Sequence, residues 1–363
     1  MADISIEVNG VKFTNPYVIG SGPPSTNFRT IDKAFATGWS GVVAKTISLD
    51  STPVMNVTPR YGKLKAPNGD IIGFENIELI SDRSLDVWLD VFKRIKDKHP
   101  DKILIASLME SYEKSRWQDL TGIITETGVN MLELNFSCPH GHPETGMGAF
   151  MGQNPHIVEE VTRWVREATD LPIWAKMTPD CTDIVAPSKA AFDGGADGIA
   201  AINTLPSIVG VDLENLRPLP TVEGYSTPGG FSYYAVKPLA LRKISEIAKA
   251  LPGKDISGIG GVISSQEAIE FILMGSSTVQ VCTGVMLQGY AMIEELNQGL
   301  SDFLDKHGFK SLRDAVGHSL QYLTSHSNLV KMKMDRKIDA LGTNRDEKWG
   351  NDITKETDNL ASN

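Results

Sequence analysis

Eight short apolar runs, each followed by a segment of helical periodicity, constrain this chain more than any other feature. The runs are Tyr17–Ser21, Val42–Ile47, Ile103–Leu108, Met131–Ser137, Ile173–Thr178, Gly198–Thr204, Asp255–Gly260 and Thr278–Thr283. Near-continuous apolar character is what a parallel strand shows when helices cover both of its faces. The intervening segments are amphipathic. Ile157, Val161, Trp164, Val165 and Ala168 fall on one stripe, and Asn154-Pro155 supplies a starting cap. Another segment opens with the capping box Ser264-x-x-Glu267 and stops at Gly275. Eight such alternations predict a (β/α)8 barrel, with an open doubly wound sheet as the alternative arrangement of the same units.

The opening SIEVNGVKF places Asn9-Gly10 between alternating residues, a hairpin signal, and the hairpin is expected to plug the bottom of the barrel. Two connections, Ser48–Leu79 and Leu205–Gly230, are long enough to read as binding loops or lids. The segment from about Lys331 to Asn363 is polar and lacks apolar periodicity, so a disordered or partner-docking tail is expected there. A net charge of −10 argues against a nucleic-acid binder. Three cysteines (Cys138, Cys181 and Cys282) supply neither a disulfide framework nor the four thiolates an iron–sulfur cluster takes. The first residues lack the basic start and apolar run of a signal peptide, and no stretch has the ~18 apolar residues of a membrane span. A soluble protein of a reducing compartment, the cytoplasm, is the expectation.

In such a barrel the functional residues lie at the carboxyl ends of the strands, and there the polar residues collect. Lys45-Thr46 end the second run, Asn135, Ser137 and Cys138 the fourth, Lys176 sits near the end of the fifth, and Asn203-Thr204 finish the sixth. A lysine inside an apolar run needs an anion or hydrogen bonds. Lys45 and Lys176 therefore ask either for an electron-rich ligand or for a buried carboxylate such as Glu133. The seventh run closes on Gly260-Gly261 and the eighth on Cys282-Thr283-Gly284, where glycines let backbone N–H groups approach a phosphate. Cys138 follows Ser137 and opens the glycine-rich PHGHPETGMG, a segment able to close over a substrate. The thiols of Cys181 and Cys282 read as structural, and the seven histidines show no metal-ligand spacing.

These segments are recognisable together. Asn135-Phe-Ser-Cys-Pro-His-Gly141 resembles the matching stretch of the flavin domain of dihydropyrimidine dehydrogenases, and it is similar to the corresponding motif of cytosolic dihydroorotate dehydrogenases. The resemblance runs through Lys45-Thr46, Asn76-Ile-Glu-Leu79, Ala175-Lys-Met-Thr-Pro179, Asp183-Ile-Val185, Asn203-Thr204, Gly260-Gly261 and Gln280-Val-Cys282, over residues 2–310. It implies a non-covalent FMN at the barrel mouth. Ser21, Lys45 and Thr46 would meet the flavin, Lys176 its pyrimidine edge, and Gly260, Gly261, Cys282 and Thr283 the ribityl phosphate. Asn76, Asn135, Ser137, Asn203 and Thr204 match substrate-contacting positions, and Cys138 matches the acid/base, with Lys45 beside it in the catalytic set. The implied reaction is reversible reduction of the 5,6 double bond of uracil or thymine. On this reading residues 1–312 form the FMN-binding catalytic barrel and 313–363 a helical, polar extension.

Two departures from the resembling family stand out. Tyr233 occupies a position where that family keeps a glycine against the flavin phosphate, and the chain has neither cluster cysteines nor a nicotinamide fingerprint. Electrons would come from a partner subunit carrying FAD and iron–sulfur clusters, or from a small soluble acceptor, in a homodimer or hetero-oligomer. Alternatives are a dihydroorotate dehydrogenase using a soluble acceptor, reduction of another cyclic substrate, and a non-catalytic flavin scaffold.

Overall fold

The computed structural model describes residues 2–50, 54–136 and 148–334. Eight parallel strands close on themselves: β1 (Tyr17–Ile19), β2 (Gly41–Val43), β3 (Ile103–Leu108), β4 (Met131–Asn135), β5 (Ile173–Lys176), β6 (Gly198–Ala201), β7 (Asp255–Ile259) and β8 (Thr278–Val281). Each pairs with its sequence neighbours, and β8 pairs with β1 through Val279 opposite Tyr17, so no edge is left open. This is the expected (β/α)8 barrel, not the open sheet. Every residue of β1, β2, β3 and β4 is buried, which accounts for the unbroken apolar runs. Several strands end earlier than the runs suggest. The ladder stops at Val43 and Ala201, short of Lys45, Thr46, Asn203 and Thr204 at the barrel mouth, while Asn135 and Lys176 are the last residues of their strands.

Helices α1 (Phe28–Ala36), α2 (Leu85–Lys98), α3 (Lys114–Thr125), α4 (Pro155–Arg166), α5 (Val185–Asp193), α6 (Lys237–Ala250), α7 (Ser265–Leu273) and α8 (Met292–His307) surround the barrel. Helix α4 starts as its sequence predicts, with Asn154 accepting from the His156 N–H and Pro155 at the first turn. It buries Ile157, Val158, Val161 and Val165. In α7 the Ser264 hydroxyl caps the helix but donates to Glu267 Oε2 at 2.7 Å, and Glu267 also faces Lys237, in place of the reciprocal backbone bond of a full capping box.

The hairpin Ile6–Val8 with Val11–Phe13 turns at Asn9 (φ 51°) and Gly10 (φ 77°), the left-handed pair such a turn requires. Asn9 donates to the Asp197 carbonyl just ahead of β6 and accepts from Trp174 Nε1 at 2.8 Å, while Phe13 stacks on Trp174. These contacts fix the hairpin across the amino ends of the strands, as a plug.

The two long connections are not irregular lids. Tyr61–Lys65 and Ile71–Asn76 from the first join Leu205–Ser207 and Gly229–Ser232 from the second in one four-stranded antiparallel sheet. Each connection supplies half of the sheet, so neither pattern reads as a complete unit alone. Among the described residues, those up to Leu320 form one compact unit and those from Gln321 onward belong to another. Within the second, His326–Met334 is helical, which takes in Lys331–Met334 of the expected tail; 335–363 lie outside the described residues.

Candidate active site

The carboxyl ends of the barrel strands and the added sheet enclose one cavity of about 1130 Å³, its opening included. Twelve of the fourteen residues singled out in the sequence line it. Ser21, Lys45 and Thr46 come from the β1 and β2 ends; Asn135, Lys176, Asn203 and Thr204 from the β4, β5 and β6 ends. Asn76 projects from the added sheet, and Gly260, Gly261, Cys282 and Thr283 follow β7 and β8. Ser137 and Cys138 lie outside the described residues.

A directional hydrogen-bond chain crosses this mouth. The Thr204 N–H donates to Asn203 Oδ1 (2.8 Å), Asn203 Nδ2 to Asn135 Oδ1 (3.3 Å), and Asn135 Nδ2 to Thr46 Oγ1 (3.0 Å). The Thr46 hydroxyl also lies 2.8 Å from Ser107 Oγ and 3.2 Å from Ser21 Oγ. A backbone N–H can only donate, so it fixes the orientation of the Asn203 amide, and that fixes the next amide in turn. Two side-chain amides are thereby preset before any ligand arrives.

Both lysines that face the cavity have carboxylate partners. Lys176 Nζ donates to Glu133 Oε1 at 3.2 Å, and Glu133 Oε2 accepts from Gln280 Nε2 at 2.7 Å, all three side chains being buried inside the barrel. Lys45 Nζ lies 3.0 Å from Glu78 Oε2, and Arg60 reaches Glu78 Oε1 at 3.3 Å. Each lysine thus has the buried carboxylate of one reading, and each also lines the cavity. Glu78, although part of the Asn76-Ile-Glu-Leu79 motif, carries no role in the sequence reading, because an ion pair between the end of β2 and the end of the connection that follows it has no signature along the chain.

The far end of the cavity is shaped by glycines. Gly260 and Gly261 have φ of 135° and 82°, and a Cβ on Gly261 would meet the Tyr233 carbonyl oxygen at 2.8 Å. Tyr233 itself has φ 76°, so the tyrosine adopts the backbone that a glycine favours. Cys282 packs its sulfur against Gly22, where any Cβ would come within 2.4 Å of it. Burial pushes its thiol up to about 11, against a smaller opposing pull from Lys176 and Lys45.

These residues fit a bound flavin nucleotide. Gln280 Oε1 is a buried acceptor on the cavity wall with no hydrogen-bond donor among the described residues, suited to a ring N–H. Lys176 offers a cation beside it, and the Gly260-Gly261 turn bares its backbone to the cavity.

Comparison with known proteins covers the stretch of chain that builds the barrel. The sequence pattern of the family described as dihydroorotate dehydrogenase matches residues 3–304. The chain is 50% identical, over 99% of its length and 88% of the relative's, to dihydropyrimidine dehydrogenase (NADP(+)), chloroplastic, of Arabidopsis thaliana. It is 43% identical to the NAD-dependent dihydropyrimidine dehydrogenase subunit PreA of Escherichia coli, covering 87% of this chain and 76% of that one. To the catalytic subunit of dihydroorotate dehydrogenase B (NAD(+)) of Pyrococcus horikoshii it is 34% identical, over 88% and 98%. With the barrel, the polar mouth and these likenesses in hand, the chain belongs to the dihydroorotate dehydrogenase family, flavin-dependent oxidoreductases that act on a CH–CH bond.

Proposed function

We propose that this chain is the FMN-bearing catalytic subunit of a dihydropyrimidine dehydrogenase, interconverting uracil or thymine and the 5,6-dihydro forms. The observation that carries the reading is the charge balance of the mouth. Lys45 and Lys176 are the cations lining the described cavity, and each is matched by a carboxylate, Glu78 or Glu133. An orotate carboxylate would need a cation in surplus and would face Glu78; a neutral pyrimidine needs neither. The preset amides of Asn135 and Asn203, with Asn76 and Thr204, suit a ring whose carbonyls and N–H groups alternate. Likeness to two chains named dihydropyrimidine dehydrogenase supports the same substrate class.

Bound FMN would exchange a hydride with C6 of the pyrimidine. Lys176 would hold the flavin's pyrimidine edge, Ser21, Lys45 and Thr46 its ring, and the backbone of Gly260, Gly261, Cys282 and Thr283 its phosphate. Cys138 would give a proton to C5 in the reducing direction, and its thiolate would take that proton back in reverse. A thiol with an ordinary value near ~8.5 serves both directions around neutrality, and a reducing compartment keeps it a thiol. Electrons would arrive from a partner subunit with FAD and iron–sulfur clusters, in keeping with the E. coli relative's being named a subunit.

Titration of the flavin spectrum with uracil, thymine and orotate tests the reading. Uracil and thymine are expected to perturb the spectrum. A response to orotate alone would overturn it in favour of a dihydroorotate dehydrogenase, and silence toward every pyrimidine would favour a non-catalytic scaffold. Cys138→Ser should keep its flavin and lose turnover by ~10²–10⁴-fold; an unchanged rate removes Cys138 from the chemistry.

A further inference from the structure

We infer that Glu75 is a positioning residue for pyrimidine recognition, a buried carboxylate that locks Asn76 and Thr204 into one reading surface. The inference rests on the substrate class proposed above and adds to it a residue that touches no ligand. Glu75 lies in the strand Ile71–Asn76 of the added sheet and is fully buried. Three donors from the other long connection converge on it. The Val209 N–H reaches Oε2 at 2.6 Å, the Gly229 N–H reaches Oε1 at 2.9 Å, and the Ser207 hydroxyl reaches Oε1 at 3.3 Å. Only an acceptor at both oxygens satisfies all three, which is a carboxylate and not an amide.

The consequence reaches the cavity through two glycines. Gly229 leaves no room for a side chain, since its Cβ would sit 2.6 Å from Glu75 Cγ. Next to it, Gly230 pairs opposite Asn76, whose Nδ2 donates to the Gly230 carbonyl at 3.4 Å. A Cβ on Gly230 would meet Thr204 Oγ1 at 2.2 Å, so this backbone also lies against Thr204. Successive strand residues point to opposite faces, so Glu75 grips the second connection from one side while Asn76 faces the cavity from the other. Burial pushes the Glu75 carboxyl above the ordinary range, and no cation contributes to its balance.

The test uses the flavin-loaded enzyme and two variants, Glu75→Gln and Ser207→Ala. Glu75→Gln turns one acceptor into a donor facing a donor. Uracil affinity, read from the flavin spectrum, should fall about tenfold while flavin content stays unchanged. Hydrogen exchange at the Val209 and Gly229 amides should quicken by a similar factor. Ser207→Ala removes the longest of the three bonds and should shift affinity the same way by a smaller factor, about threefold, which covers the case in which Glu75→Gln fails to fold. Faster exchange with unchanged uracil affinity would make Glu75 merely structural and overturn the inference, as would unchanged affinity in Ser207→Ala. A wild type that responds to no pyrimidine would instead sink the substrate reading underneath it.

Discussion

The mouth residues illustrate how buried charge is tolerated only in company. Lys176 and Glu133 are both withdrawn from water, and Gln280 completes the acid's hydrogen bonding. Lys176→Met strands the Glu133 charge, so the variant should lose about 3–5 kcal/mol of stability in urea melts and bind flavin weakly. Adding Glu133→Gln should restore much of the stability and none of the flavin binding. Equal stability of the single variant and the parent would show that the pair is not coupled. Cys282 makes a pH prediction. Its folded thiol is held at about 11 against an ordinary 9.0, so the folded chain keeps its proton longer than the unfolded one. Stability is therefore full below the unfolded thiol's value and declines as pH climbs from there toward about 11. Melting temperatures taken from pH 8 to 10.5 should fall less steeply in Cys282→Ala than in the parent; parallel slopes would contradict the assignment.

Among the elements, the hairpin plug offers a clean test. Gly10 has φ 77° and nothing within 4 Å of where a Cβ would sit, so Gly10→Ala isolates the backbone penalty from any clash. The expected loss is about 1–2 kcal/mol by chemical denaturation, with the site unaffected; no loss would mean that the turn relaxes. What the chain reveals by inspection follows the same boundary between local and distant. The hairpin, the helix cap at Asn154 and the eight strands were legible because each rests on neighbours in sequence. Lys45, Asn135, Lys176 and Asn203 were legible as candidates because polar groups at the ends of apolar strands are conspicuous. The added sheet was missed: its first hairpin, Tyr61–Lys65 with Ile71–Asn76 around Asn68-Gly69, is local, but its joining to Gly229–Ser232 rests on Asn76 opposite Gly230, far along the chain. Glu75 and Glu78 escaped because what makes a carboxylate meaningful is the donor opposite it: Val209 and Gly229 reach Glu75 from far along the chain, and Lys45 and Arg60 meet Glu78 only once the first connection has folded back. Tyr233, marked as a departure from the resembling family, retains the left-handed backbone even so, which shows that the surroundings and not the side chain dictate that turn.

At the scale of the whole molecule, the question is how electrons reach a cavity in a chain with three cysteines. Purification from the native host at low salt should bring down a second polypeptide that carries FAD or iron–sulfur absorption; recovery of the chain alone, active with a small soluble acceptor, would refute the partner reading. Among the described residues no helix is long and apolar enough to cross a membrane. Barrel strands pair mostly with their successors, but β8 closes on β1 with Val279 opposite Tyr17, and Asn76 of the added sheet meets Gly230 across 154 positions. Closing so large a loop is entropically slow, and it becomes favourable only after the intervening strands have drawn the ends together. During synthesis, then, Asn76 and the strand that carries it have nothing to join across the sheet until Gly230 has left the ribosome. Fragments that stop short of that point would also lack Gly260, Gly261, Cys282 and Thr283, and with them that part of the cavity wall.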